Sequence, residues 1–68
     1  MKFIVETEQE DDGRWIAEVI DLPGVLVYAQ TCEEAINHVQ ALALRVLAER
    51  LEHDKTESNL VSISFQAA

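Results

Sequence analysis

The stretch that decides the fold is Asp21-Leu22-Pro23-Gly24-Val25-Leu26-Val27-Tyr28-Ala29-Gln30-Thr31-Cys32-Glu33-Glu34-Ala35-Ile36. Pro23 fixes φ and Gly24 accepts a positive φ, which is the chemistry of the two central positions of a type II turn. Val25 to Ala29 is short and apolar and carries two β-branched valines, so it reads as a strand. The period changes at Thr31, whose hydroxyl can cap a helix while Glu34 reaches back to complete a capping box. Turn, strand and helix start are therefore expected in direct succession.

Toward the N-terminus, Lys2 to Thr7 is strand-like, and Phe3-Ile4-Val5 places apolar side chains on both faces, as an internal strand does. The acidic run Glu8-Gln9-Glu10-Asp11-Asp12-Gly13 ends in Asp-Gly, a hairpin signal. It lacks the alternating ligand spacing and distal Glu of a calcium loop. Arg14 to Ile20 alternates, with Trp15, Ala17 and Val19 on one face and Arg14, Ile16, Glu18 and Ile20 on the other. Two registers fit this hairpin. A loop of even length pairs Ile4 with the Trp15 face, and a three-residue loop with a bulge brings Phe3 and Val5 there instead.

Toward the C-terminus, a helix is expected from Thr31 to about His53, with Ala35, Ile36, Val39, Leu42, Ala43, Val46 and Leu47 in one apolar arc. Residues 53–59 have loop composition. Leu60 to Gln66 alternates as a last strand, with Val61, Ile63 and Phe65 inward and Ser62 and Ser64 outward. The expected fold is α+β in the order β-β-β-α-β, a single domain over residues 1–68. A four-stranded mixed sheet is covered on one face by one long helix, and a right-handed crossover sets the last strand parallel to the first and third. Leu22, Val39, Leu42 and Val46 are expected in the core.

A helix of about 22 residues spans about 33 Å, whereas strands of five or six residues reach only about 20 Å. The end of the helix should overhang its sheet. Leu44 and Leu51, off the core arc, are then left without an intramolecular partner and become the candidate self-association residues. Length points the same way: 68 residues make a small core, the lone Cys32 allows no internal disulfide, and two histidines make no zinc pattern. A homodimer or higher homo-oligomer is the expected remedy.

Thirteen acidic residues against five basic give a net charge of −8, which disfavours contact with a phosphate backbone. With 49% hydrophobic residues the chain is too apolar for an acidic disordered tail, so the charge coats a folded surface. That coat is either a solvated rim or a field that steers a basic partner. No apolar run approaches membrane-spanning length and no leader precedes the first strand, so a cytoplasmic location is expected.

Catalytic chemistry finds few candidates. Two-metal nuclease chemistry needs converging carboxylates, and only Glu6 with Glu33 or Glu34 lie near suitable elements. Cys32 at a helix N-terminus has its thiolate opposed by Glu33 and Glu34. Glu34 and His38, one turn apart, make two metal ligands without a third, and His53 complements the helix dipole. A non-catalytic chain is expected, with no metal, cofactor or small-molecule substrate.

Trp15-Ile16-Ala17-Glu18-Val19, then Asp21-Leu22-Pro23-Gly24, then Thr31-Cys32-Glu33-Glu34-Ala35, in these spacings, resemble the HicB-like antitoxin family over residues 1 to 50. The resemblance implies a partial ribonuclease-H-like fold with the last strand beside the first. It also implies a binding module that blocks HicA, a small ribonuclease toxin with a double-stranded-RNA-binding-like fold, so that catalysis belongs to the toxin. Many members continue into an operator-binding domain, and these 68 residues contain none, so no direct nucleic-acid contact is expected. The family's frequent Cys after Pro-Gly is Val25 here, and its usual Gly-Asp before Thr is Ala29-Gln30. An orphan HicB-fold structural or regulatory interaction protein, without a toxin, is therefore the alternative. Charge and resemblance together mark Glu8, Glu10, Asp11, Asp12 and Glu33 as candidate partner contacts.

Overall fold

The computed structural model describes residues 1–53 and 62–68. At Pro23-Gly24 the chain turns as expected: Gly24 has φ 86°, and the Val25 N–H donates to the Leu22 carbonyl at 3.0 Å. A second turn directly precedes it, with the Leu22 N–H donating to the Val19 carbonyl at 3.1 Å. The paired turns tuck the Leu22 side chain into the core. At Thr31 the hydroxyl accepts the Glu34 N–H at 3.1 Å and the carbonyl accepts the Ala35 N–H at 3.0 Å, so helix α1 (Cys32–His53) starts there. The return bond from Thr31 to the Glu34 carboxylate is not made, so the threonine caps alone. Thr31→Ala is accordingly expected to cost about 1 kcal/mol, seen as a lower urea midpoint that Thr31→Ser restores.

Strands β1 (Lys2–Gln9), β2 (Trp15–Val19), β3 (Leu26–Ala29) and β4 (Ser64–Ala67) form one sheet in the order β3-β2-β1-β4. The first three pair antiparallel, and β4 lies parallel to β1. The fold is thus α+β with a four-stranded mixed sheet, and β1 is internal. Hydrogen bonds close the first hairpin as a three-residue loop. The Glu10 N–H donates to the Arg14 carbonyl at 2.7 Å, the Gly13 N–H donates to the Glu10 carbonyl at 2.9 Å, and Gly13 has φ 91°. Asp11 is the residue that makes the loop odd, and a bulge at glycine follows. Val5 therefore faces Val19, and Thr7 faces Ala17. Phe3 and Val5 join Trp15, Ala17 and Val19 on the helix-covered face, which settles the register.

Beneath α1 the core consists of Phe3, Val5, Ala17, Val19, Leu22, Val25, Ala35, Val39, Ala43 and Leu47. Leu42 and Val46, expected there, are only half-buried along its margin with Ile36. The reason is steric. The helix approaches the sheet along Ala35, Val39, Ala43 and Leu47, where Ala35, Ala43 and the facing Ala17 are 0% exposed, and bulkier side chains flank that line. Phe65 pairs with Phe3 across the β1–β4 ladder, their rings 5.8 Å apart. Ile63 also packs on the core while Ser62 and Ser64 are exposed, as the alternation implied. Among the described residues the strand starts at Ser64, and the expected strand positions Leu60 and Val61 and the expected loop residues 54–59 lie outside the described residues.

The helix begins beside the β1–β2 hairpin, because β3 ends opposite Trp15, and it runs back toward the other end of the sheet. Leu47 is its last buried residue, and positions 48–53 are all exposed. The overhang is real. The described chain measures 42 Å along its longest axis, and its radius of gyration of 12.8 Å exceeds the roughly 11 Å of a compact chain this long. Among the described residues, no helix is long and apolar enough to cross a membrane.

Candidate interaction surfaces

Three surfaces arise from this geometry. The first is the hairpin end. The Asp12 carboxylate accepts the Arg14 backbone N–H at 3.0 Å and the Arg14 Nε at 2.8 Å, so Asp12 is a turn-forming residue before it is a contact. Arg14 in turn lies over the Tyr28 ring, 4.7 Å from its centroid. The backbone N–H, and after it the guanidinium, hold the Asp12 carboxyl below its ordinary 3.8. A depressed carboxylate stabilises the fold above its unfolded value, and this contribution is lost as pH falls through the lower folded value. An NMR titration should show Asp12 ionising below 3.8, and Arg14→Ala should bring it only part of the way back, since the backbone bond remains.

The other candidate contacts lie around the same end. Glu8 and Asp11 are exposed and Glu10 is half-buried; Glu8 points away from the helix, in line with its cross-strand neighbour Ile16. Glu33 is exposed at the helix start, on the opposite side of the sheet. The five residues thus share one end of the molecule and not one face. Their charge has a clear origin: residues 6–34 hold nine acidic residues and one basic, Arg14, which accounts for the whole −8.

The second surface is the sheet face that α1 leaves open. Strand parity puts Ile4, Glu6, Glu8, Ile16, Glu18, Leu26 and Tyr28 there, and Ile20 follows at the end of β2. Glu6 sits directly across from Glu18, and these two with Glu8 and Ile16 line a shallow depression. Ile20, Leu26 and Tyr28 are exposed beside it. The sequence placed Glu18 on the face opposite Trp15 and named Glu6 as a candidate carboxylate, but the pairing of the two follows only once the hairpin register is known.

The third surface is the outer side of α1, where Leu44 is 47% exposed and Leu51 42%. Leu44 is exposed because it faces away from the sheet between the buried Ala43 and Leu47, and not through the overhang, whereas Leu51 lies beyond Leu47 in the overhanging end.

The groups considered for catalysis are kept apart. Glu6 lies on the open face, whereas Glu33 and Glu34 start the helix on the other side of the sheet, so these carboxylates do not converge. Cys32 is a half-buried free thiol in the first helical turn. His38 and His53 are exposed on α1, and no three described His, Cys, Asp or Glu side chains are grouped to hold a metal ion.

No family model, curated protein or solved structure matches this chain. Function therefore rests on the surfaces themselves and on the pattern of residues 15–35.

Proposed function

We propose that this chain is a non-catalytic HicB-like antitoxin-type module, which neutralises a small HicA-like ribonuclease toxin in the cytoplasm by covering the toxin's basic RNA-binding and active surface. The observation that carries the reading is the concentration of charge: nine carboxylates against one guanidinium in residues 6–34, six of them (Glu8, Glu10, Asp11, Asp12, Glu33 and Glu34) at the end of the molecule where the first hairpin and the helix start lie. An RNA-binding surface is basic by necessity and is its electrostatic complement. Support also comes from the motif positions. Trp15–Val19 is a strand, Leu22-Pro23-Gly24-Val25 is a hydrogen-bonded turn, Thr31 caps the helix, and β4 lies beside β1, as the partial ribonuclease-H-like arrangement requires.

Co-expression with the neighbouring reading frame, followed by affinity capture and a growth assay, tests the proposal. Capture of a small basic protein and relief of its toxicity are expected. Raising salt should slow association more than it speeds dissociation, because charges at the rim act on encounter. No complex and no relief of toxicity would leave the orphan interaction protein, the reading that Val25 and Ala29-Gln30 favour.

A further inference from the structure

We propose that the exposed stripe Ala41, Leu44, Ala48 and Leu51 on α1 is the contact between two copies of this chain, crossing antiparallel about a two-fold axis at Ala48. The spacing of three, four and three is that of one coiled-coil seam, and all four side chains are exposed in the single chain. Two of them are large exposed leucines, and Leu51 lies beyond Leu47, the last buried residue of the helix.

Charge identifies a second copy as the occupant. From Ala41 to His53 the helix carries Arg45 and Arg50 against Glu49 and Glu52, two of each sign, so this half of α1 is neutral on a chain of −8. A basic partner is drawn to the hairpin end; a second acidic chain is repelled from it and meets no net repulsion here. Orientation follows from the same separation. The acidic hairpin lies beside the start of α1, so an antiparallel crossing near the helix end holds the two acidic ends at opposite extremes, whereas a parallel one sets them side by side.

The two-fold axis fixes the layers, since each residue of an isologous contact meets its symmetry mate or exchanges roles with another. Ala48 meets Ala48 of the second copy, and its small side chain allows close approach. Leu44 meets Leu51 of the second copy, and Arg45 lies alongside Glu52 of the second copy. This inference does not rest on the antitoxin reading, because it concerns the purified chain alone.

Light scattering across the micromolar range should give twice the 7.7 kDa chain mass. Leu44→Glu with Leu51→Glu should return it to the single-chain mass with an unchanged circular dichroism spectrum, because both side chains are exposed. In a Cys32→Ser background, diamide should link Ala48→Cys chains to one another. It should also link a mixture of Leu44→Cys and Leu51→Cys chains, but not Leu44→Cys chains alone. A monomeric wild type, or a dimer that survives the double glutamate variant, would overturn the contact. Self-linking of Leu44→Cys without linking of Ala48→Cys would overturn the antiparallel axis.

Discussion

Phe3→Ala is expected to cost about 3–5 kcal/mol, the range for removing a buried phenylalanine. Phe3 is on the internal strand, 5% exposed, with β2 on one side and the Phe65 ring on the other, so no neighbour can collapse into the space without leaving its own ladder. A domain of 68 residues holds only about 3–10 kcal/mol in total. The variant should thus be largely unfolded in dilute buffer, or unfold at a much lower urea concentration, read through Trp15 fluorescence. Ile4→Ala, one residue away and half-buried on the open face, is the control and should lose much less. Equal losses at the two positions would mean that the hairpin register is wrong.

Leu47→Ala comes next, at about 2–5 kcal/mol, with Leu42→Ala at about half of that or less. The two leucines are five residues apart on one helix and chemically identical. Leu47 is 6% exposed in the line that meets the sheet, whereas Leu42 stands at the margin of that line. Leu47 is also the last side chain of α1 anchored to the core, so its loss should loosen the overhang as well as open a cavity. Urea midpoints compare the two variants, and hydrogen exchange at residues 48–53 reports the loosening separately. A larger loss at Leu42 than at Leu47 would rotate the helix on its sheet.

Element order and the strand–turn–helix succession were legible because several local signals agree at residues 21–36: proline and glycine in the turn, valines in the strand, threonine at the cap. Hairpin register was not legible, since Asp12-Gly13 suits a two-residue loop as well as a three-residue one, and only the Glu10–Arg14 pairing decides between them. The apolar arc of the helix was legible, and only its deepest line was not, for a different reason. Side-chain hydrophobicity favours Leu42 and Val46, but a helix lying on a sheet is set by how closely it can approach, and that favours Ala35 and Ala43. Among the surfaces, the acidic hairpin and the two leucines were visible as runs and spacings in the chain. The Glu6, Glu8 and Glu18 grouping was not, because it exists only through cross-strand pairing.

The parallel pairing of β1 with β4 bears on the order in which the molecule is made. The N-terminal ammonium of Met1 donates to the Ser62 carbonyl at 2.7 Å across 61 residues, and Lys2 to Val5 pair with Ser64 to Ala67. Strand β1 is therefore synthesised well before β4, one of its two neighbours, has left the ribosome. Until then a nascent chain holds β1 as an unpaired edge, with Phe3 lacking the Phe65 ring. Contacts of such long sequence separation are slow to form, so docking of β4 should be the late event in folding, after β1, β2, β3 and α1 have come together.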